Sequence, residues 1–196
     1  MEERFLNEDS PRKSKKGEFD VSWNIILSSE YRNRLFFISR NEKVIDAILL
    51  RCKWMLYHRD GKNSEEIYAI NLENGEEIAR ITDQNHDFGI KRTELFENKI
   101  NKADRKGIKV LLLHNHPRGM PPSITDINLL CNNKNVIGIT VGHNGSIYFY
   151  SKPKQKIEKK YFYIALQRFS GYSEITRMEK VIEALSYMYG FVFYIL

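Results

Sequence analysis

The first half of the chain changes from a helical to a strand-like hydrophobic period near residue 60. A helix is predicted from its N-cap Asn41, because apolar residues recur at three- and four-residue steps along one face. These residues are Val44, Ile45, Ile48, Leu49, Cys52, Met55 and Leu56. The turn pair Asp60-Gly61 ends this helix. Two apolar runs within residues 65–82 then flank Asn74-Gly75, which predicts a β-hairpin.

The middle of the chain combines one amphipathic segment with two continuous apolar runs. Residues 91–106 predict a helix that stops at Gly107. Its predicted buried residues are Leu95, Phe96 and Ile100. The runs at 108–113 and 136–142 predict strands that are buried on both faces of a sheet.

The last part of the chain returns to a hairpin and then to helical spacing. Asn144-Gly145 leads into the run SIYFY, which predicts a second hairpin. Helices are predicted from residue 156 and over 173–189, and FVFYIL predicts a final strand. Residues 21–38 fit a short strand or turn followed by a helix. This order predicts an α/β fold with a mixed central sheet flanked by helices.

The composition indicates a folded domain with a modest basic excess. Hydrophobic residues make up 42% of the 196 residues, which is enough for a core. Lys and Arg exceed Asp and Glu, giving a net charge of +6, and part of this excess lies in PRKSKK (11–16) and KPKQKIEKK (152–160). Basic segments can contact nucleic acid or an acidic partner, although a solvated terminus is the commoner role.

Cysteine usage and hydropathy predict a cytoplasmic location. Cys52 and Cys131 have no paired spacing, so neither a disulfide framework nor a cysteine zinc site is indicated. The chain does not open with a signal-peptide pattern. No stretch of about 18 apolar residues predicts a membrane-spanning helix.

The stretch HNHPRGMPPSITD, which begins at His114, carries the candidate chemistry. Side chains alternate along a strand, so His114 and His116 point to the same face, about 7 Å apart along the chain. Pro117 then ends ladder pairing and turns the chain. Ser123 is suited to cap the next helix, and Asp126 lies in the first turn of that helix, from which it can reach back to the histidines.

Two imidazoles and one carboxylate match the three protein ligands of a catalytic zinc site, whose fourth position holds a water with a pKa lowered towards about 7. A capping box alone explains Ser123 and Asp126 without a metal, and an isolated HxH pattern is common. The joint occurrence of HxHP after a buried strand and SxxD shortly afterwards favours metal binding. A ligand can also be a capping residue, so the two interpretations partly coexist.

Activation of water also needs a carboxylate that is not a metal ligand, which takes a proton and passes it to the leaving amine. Glu65 and Glu66, at the start of the strand EEIYAINL, are the candidates. Their side chains point to opposite faces of the strand, so only one of them can serve.

The combination of an early strand glutamate, HNHP and SITD resembles the JAMM motif of the JAB/MPN-plus metallopeptidases, and HNHP is particularly similar to the RadC-like bacterial branch. The resemblance covers roughly residues 41–150, and the order and spacing from Glu66 to Asp126 agree with it. One departure is the loop RGMPP, whose five residues separate Pro117 from Ser123 where six or more are commoner.

This resemblance implies a cytidine-deaminase-like α/β/α sandwich. It implies that His114, His116 and Asp126 bind Zn²⁺ and that Ser123 helps to stabilise a tetrahedral oxyanion. It also implies that Glu66 holds and deprotonates the water, with the preceding glutamate as the alternative.

Four segments are predicted along the chain. They are a flexible basic tail at 1–20, a helical segment at 21–60, the JAB/MPN-plus catalytic core at 61–155, and helices with a terminal strand, packed on that core, at 156–196.

The leading functional hypothesis is a zinc-dependent hydrolase that cleaves a peptide or isopeptide bond in a protein or peptide substrate. The alternative is a non-catalytic zinc-binding assembly module, or a nucleic-acid-associated module of a phage or mobile element that uses the basic segments. A zinc deaminase ranks last, because its signature pairs one histidine with PCxxC, which this chain lacks.

The other three histidines are assigned ordinary roles. His58 ends a helix and can interact with the helix dipole, His86 lies in a predicted surface loop, and His143 is expected to be a polar turn residue rather than a ligand.

Overall fold

A six-stranded mixed sheet, in the order β2-β1-β3-β4-β5-β6, forms the centre of the protein. The computed structural model describes residues 17–82 and 89–196. The strands are β1 (Ile67–Asn71), β2 (Glu77–Ile81), β3 (Val110–His116), β4 (Val136–Gly142), β5 (Ile147–Tyr150) and β6 (Phe193–Ile195). Strands β3 and β4 run parallel, and each of the other neighbouring pairs is antiparallel.

Helices cover both faces of this sheet. They are α1 (Trp23–Ile26), α2 (Ser29–Leu35), α3 (Glu42–Arg59), α4 (Glu94–Arg105), α5 (Ile124–Leu129), α6 (Lys159–Arg168) and α7 (Glu174–Tyr189). Helices α1 to α3 pack on one face, called here the α1–α3 face, and α4 to α7 pack on the other, called the α4–α7 face. The predicted α/β class with a mixed sheet and flanking helices is therefore confirmed.

The pleat of β1 and β3 divides their apolar residues between the two faces. Ile67 of β1 and Leu112 of β3 belong to the core on the α4–α7 face, whereas Tyr68 and Leu113 belong to the core on the α1–α3 face. The antiparallel pairing joins Ile67 to His114. Both strands are thus apolar on both faces, as expected for strands buried in the middle of a three-layer fold.

The predicted helix and hairpin in the first half are confirmed. Helix α3 begins after Asn41, whose side chain accepts from the backbone N–H of Lys43, and it ends before Asp60. Strands β1 and β2 form the hairpin. Its Gly75 has a φ of +79°, and a Cβ there would lie 2.8 Å from the Ala47 side chain of α3, so the turn needs a glycine.

Two local predictions need correction. Helix α4 begins at Glu94 after its N-cap Thr93, and Leu95 is 68% exposed although it was expected to be buried. Position 95 lies one residue before Phe96, which is buried, so the 3.6-residue period turns it towards solvent. In the segment 21–38, the strand alternative is wrong and the helix is confirmed: two short helices form, and Ser28 caps the second, α2, whose Tyr31 and Leu35 are buried.

The end of the chain belongs to the same layered arrangement. Helices α6 and α7 pack on the α4–α7 face, and β6 pairs with β5 at the edge of the sheet. Most of the predicted tail at 1–20 lies outside the described residues. Within residues 17–82 and 89–196, no helix is both long and apolar enough to cross a membrane.

Candidate metal centre

His114 and His116 leave the end of β3 on the α4–α7 face with their Nε2 atoms towards each other. The two Nε2 atoms are 3.1 Å apart, and the rings meet edge to face. Thr140 of β4, which pairs with His114, has its Oγ1 3.3 Å from His114 Nε2. Two imidazole nitrogens this close need either a shared proton or a cation between them, because two lone pairs repel each other.

The loop after β3 fixes the orientation of the second histidine. His116 Nδ1 donates to the carbonyl of Met120 at 2.9 Å, which leaves Nε2 as the atom that faces His114. The loop is also contacted by Tyr148, whose hydroxyl lies 3.1 Å from the carbonyl oxygen of Gly119 and 2.9 Å from Glu179 Oε1. An outer hydrogen bond of this kind selects the tautomer of a metal-binding histidine.

Asp126 reaches the histidines from the first turn of α5. Its Oδ2 lies 3.7 Å from His114 Nε2 and 3.6 Å from His116 Nε2. The same oxygen accepts from the backbone N–H of Ser123 at 2.8 Å and from its hydroxyl at 2.7 Å. The predicted capping box is present, and it is also what aims the carboxylate at the histidines.

Ser123 lines the cavity next to this cluster, but its hydroxyl proton is donated to Asp126. A serine hydroxyl has one proton, so in this geometry Ser123 supports the carboxylate and offers no donor to an oxyanion. Ser123 therefore positions Asp126 in this geometry, and its oxyanion role stays a prediction. The short RGMPP loop nevertheless brings Ser123 into contact with the ligand set.

Glu65 lies beside the cluster. Residue 67 pairs with 114 in antiparallel register, so position 65 falls opposite position 116 just beyond the end of β1. Glu65 Oε1 is 3.8 Å from His116 Nε2, and the residue lines the same cavity. Burial raises the pKa of this carboxyl above its ordinary value, although the charges of His116 and His114 oppose the increase.

Glu66, the preferred base in the sequence analysis, points to the other face of the sheet. Its carboxylate is 1% exposed and lies 2.9 Å from Arg59 Nε and 3.4 Å from His58 Nδ1. The Tyr68 hydroxyl donates to it at 3.4 Å. The predicted position of Glu66 beside the histidines is therefore wrong, and Glu65, the alternative, lies there, because the register of β1 against β3 puts odd-numbered β1 positions on the histidine face.

A buried amide network on that second face holds the segment that carries Glu65. Asn115 Oδ1 accepts from the backbone N–H of Glu66 at 2.7 Å, and Asn115 Nδ2 donates to the Ser64 carbonyl and to His143 Nε2, each at 3.1 Å. His143 Nδ1 donates to the Phe19 carbonyl at 2.7 Å. Asn115, which the sequence analysis left without a role, is the centre of this network.

The histidines outside the motif have the following positions. His143 is 1% exposed, and burial lowers its pKa, which agrees with a neutral ring that donates through Nδ1 and accepts through Nε2. It lies in the turn after β4, as predicted, and it makes two buried contacts there. His58 contacts Glu66, and the prediction for His86 falls outside the described residues.

Opposite charges at the cluster change the titration of its members. Although burial opposes it, close contact with the Asp126 carboxylate and the charges of Glu65 and Asp126 raise the pKa of His116 to about 9. Although burial opposes it as well, contact with His114 and His116 holds the pKa of Asp126 well below its usual range. Opposite charges within the cluster therefore stabilise a protonated His116 and an ionised Asp126.

The donor geometry fits a metal ion. His114, His116 and Asp126 each offer one ligand atom, and these atoms lie within 4.8 Å of one another. In a tetrahedral zinc site, two bound nitrogens are about 3.3 Å apart, close to the 3.1 Å that separates the two Nε2 atoms. A set of two imidazoles and one carboxylate suits Zn²⁺ and related first-row ions.

The cluster forms one wall of a cavity of about 530 Å³. Arg92, which precedes α4, and Arg118, in the loop after β3, also line it, and Met178 of α7 closes one side. The volume lies within the range of about 300–1,000 Å³ that is usual for ligand sites. Comparisons with family models, with curated proteins and with solved structures found no match to this chain.

Proposed function

We propose that the protein is a zinc-dependent hydrolase of the JAMM type that cleaves a peptide or isopeptide bond, with Glu65 as general base. The observation that carries this proposal is the meeting of His114, His116 and Asp126 on one cavity wall with the Glu65 carboxylate beside them. A structural zinc site has four protein ligands, whereas three ligands next to an open cavity are typical of a catalytic one.

Two of the three proposed ligands have supporting contacts. His116 keeps its Nε2 free through the bond to Met120, and Asp126 is oriented by both donors of Ser123. Zn²⁺ bound by these residues would polarise the carbonyl of the scissile amide and increase the acidity of a water molecule. Its affinity depends on deprotonation of the imidazoles, so the raised pKa of His116 sets the pH range in which the metal competes with the proton.

Glu65 moves the proton in this proposal. Its carboxylate takes a proton from the attacking water as the oxygen bonds to the amide carbon, and it gives that proton to the nitrogen as the carbon–nitrogen bond breaks. The products are one carboxylate and one amine. A carboxyl whose pKa is raised by burial suits both steps, because the best proton carrier has a pKa nearer to the working pH.

The JAMM resemblance supports the same assignment. The motif residues His114, His116, Ser123 and Asp126 all line the cavity, and Glu65, just before β1, lines it too. The mixed sheet with helices on both faces is compatible with the cytidine-deaminase-like sandwich that the resemblance implies. The non-catalytic zinc module needs the same ligands but gives no reason for Glu65 to lie beside them, so hydrolysis is the preferred proposal.

The metal is tested by elemental analysis of the purified full chain. We expect about one Zn²⁺ per chain, lost in the His114→Ala/His116→Ala double variant and retained in His143→Asn, the matched control that changes a buried histidine on the other face. Absence of zinc from folded wild-type protein at neutral pH, with zinc supplied, would contradict the proposal.

Hydrolysis is tested with the zinc-loaded chain on a panel of peptide and isopeptide-linked substrates. Cleavage should stop on chelation and return with Zn²⁺. A folded, zinc-loaded protein that cleaves no member of a broad panel would favour the non-catalytic alternative. Salt-sensitive DNA binding that depends on residues 1–20 would support its nucleic-acid form.

A further inference from the structure

Arg92 is a largely buried cation on the wall of the cavity that the metal ligands also line. It lies immediately before the N-cap of α4, far in sequence from the histidine motif. Its side chain is 10% exposed, and its Nε is 2.6 Å from Glu97 Oε1. Within residues 17–82 and 89–196, no further hydrogen bond or ion pair of the Arg92 side chain is found.

One contact leaves most of this guanidinium without a partner. Arginine has five N–H donors, so four remain at the two terminal nitrogens after the Nε contact. A buried cation with unused donors is costly unless a ligand or water engages them. An ion pair with Glu97 needs only one positive charge beside α4, and a lysine could supply that charge as well as an arginine.

The charges around the cavity favour an anionic ligand. Two carboxylates, of Glu65 and Asp126, and two guanidinium groups, of Arg92 and Arg118, line the cavity. With a divalent ion bound, positive charge would exceed negative charge around this space. The charge of Asp126 also acts on Arg92, so the guanidinium is within electrostatic range of the metal ligands. A planar fork of two terminal nitrogens matches the two oxygens of a carboxylate.

Arg118 is less suited to this role, although it lines the same cavity. Its side chain is 36% exposed, its Nε lies 3.5 Å from Glu18 Oε1, and its guanidinium is 5.9 Å from the centre of the Phe19 ring. Solvent weakens a contact made from such a position. Arg118 therefore serves as a matched control, because it has the same side chain at the same cavity with greater exposure.

We propose that Arg92 forms a carboxylate-binding subsite beside the metal centre, so that the protein selects ligands with an acidic group near the group that meets the metal. This inference rests on the proposed metal centre and adds the substrate class: peptide or isopeptide bonds with a nearby carboxylate. The carboxylate is an acidic side chain or a free chain terminus. An acidic group on the substrate fills the donors that Glu97 leaves open.

The test uses two small chelators and the zinc-loaded full chain. Succinic monohydroxamate carries a carboxylate, and its primary amide analogue has the same length without the charge. We expect calorimetry to give about tenfold tighter binding of the acidic probe to wild type, as for a charge-assisted pair of hydrogen bonds. Arg92→Met should remove this preference without changing the affinity of the neutral probe, whereas Arg118→Met should keep it.

A second variant covers the case in which Arg92→Met does not fold. Arg92→Lys keeps a charge for Glu97 but loses the fork, and it should bind the acidic probe several-fold more weakly than wild type at an unchanged unfolding midpoint. Full acid preference in Arg92→Lys, or its loss in Arg118→Met instead, would overturn the assignment. Equal loss of both probes in Arg92→Met would indicate a role at the metal and also overturn it.

The wild-type result separates this inference from the proposed function. If both probes bind equally well, the Arg92 subsite is wrong and the metal centre stands. If neither probe binds the zinc-loaded chain, both proposals fail. A further pair of hydroxamates, one with a capped aspartyl residue and one with a free terminal carboxylate, identifies which source of the carboxylate is selected.

Discussion

At the ends of β1 and β3, the two faces of the sheet carry similar residue types in different states of hydrogen bonding. The α4–α7 face has Glu65, His114 and His116, whose polar atoms converge on one another at the wall of a cavity. The α1–α3 face has Glu66 and Asn115, buried and paired with protein groups. Adjacent residues of the same two strands supply both arrangements.

The two faces differ in whether their polar atoms already have suitable hydrogen-bond partners within the protein. On the α1–α3 face, Asn115 uses its oxygen and its amide nitrogen on neighbouring protein atoms, and each nitrogen of His143 has one partner. On the α4–α7 face, two histidine nitrogens share one short contact that needs a proton or a cation. Unmet bonding capacity next to a cavity, rather than the presence of ionisable residues, therefore distinguishes the candidate site.

Replacement of each of the two glutamates by glutamine, in separate variants, gives the largest expected effect. Glu65→Gln should lower kcat by about 10²- to 10⁴-fold with zinc content unchanged, because it removes the proton carrier. Glu66→Gln should keep kcat and lower stability, because it weakens a buried ion pair. Turnover and zinc content measured on both variants test this, and the reverse result would return the base to Glu66.

Removal of Arg59 tests whether the α1–α3 face is structural. Arg59→Met leaves the buried Glu66 carboxylate without its closest cation, which is expected to lower the free energy of unfolding by about 3–5 kcal/mol. The control is Arg80→Met, since Arg80 is 59% exposed and its pair with Glu77 contributes at most about 1 kcal/mol. Urea unfolding of both variants measures the difference, and equal effects would remove the contrast between the faces.

The stability of the metal-free protein and the additional stabilisation by zinc should depend on pH with opposite signs. In metal-free protein, His116 has a pKa of about 9 against an ordinary value of 6.5, so its contribution is complete below pH 6.5 and lost as the pH rises through about 9. The loss is on the order of 3 kcal/mol. Zinc binding needs neutral imidazoles, so stabilisation by zinc should increase over the same range.

Thermal unfolding from pH 6 to 9, with a chelator or with excess zinc, tests both signs. His116→Ala should flatten both curves. A metal-free stability that increases across this range would show that His116 is not held in its charged form.

The smallest effect concerns the link between the faces. Asn115→Leu removes the acceptor of the Glu66 N–H and a donor to Ser64, at a cost of about 1–3 kcal/mol. Because this segment carries Glu65, kcat should decrease while zinc content and KM stay near wild type. If kcat is unchanged after correction for the folded fraction, Asn115 supports the fold alone.

The parts of the site that are local in sequence could be predicted from it. Alternation within β3 puts His114 and His116 on one face, and a helix cap positions Asp126. The choice between Glu65 and Glu66 depends on the register of β1 against β3. Both strands are apolar on both faces, so the hydrophobic pattern does not select one register.

Residues that only the tertiary fold brings to the site had no local signal. Arg92 belongs to a different segment from the motif, and nothing in KRTELFENKI distinguishes it from a solvated helix-start cation. Asn115 is within the motif, but its partners Glu66 and His143 come from two other segments. The general fold class needed less information, because the order of helical and strand-like periods is enough for it.

The three proposed metal ligands all come from residues 114–126, a single stretch of 13 residues, whereas Glu65 comes from the separate segment that leads into β1. Closing so short a loop costs little chain entropy, so zinc can bind once β3 and the first turn of α5 have formed. Pairing of β1 with β3 would then bring Glu65, the proposed base, beside the histidines. We therefore expect zinc to accelerate refolding in stopped-flow experiments. The metal would then be bound before the proposed general base has reached it.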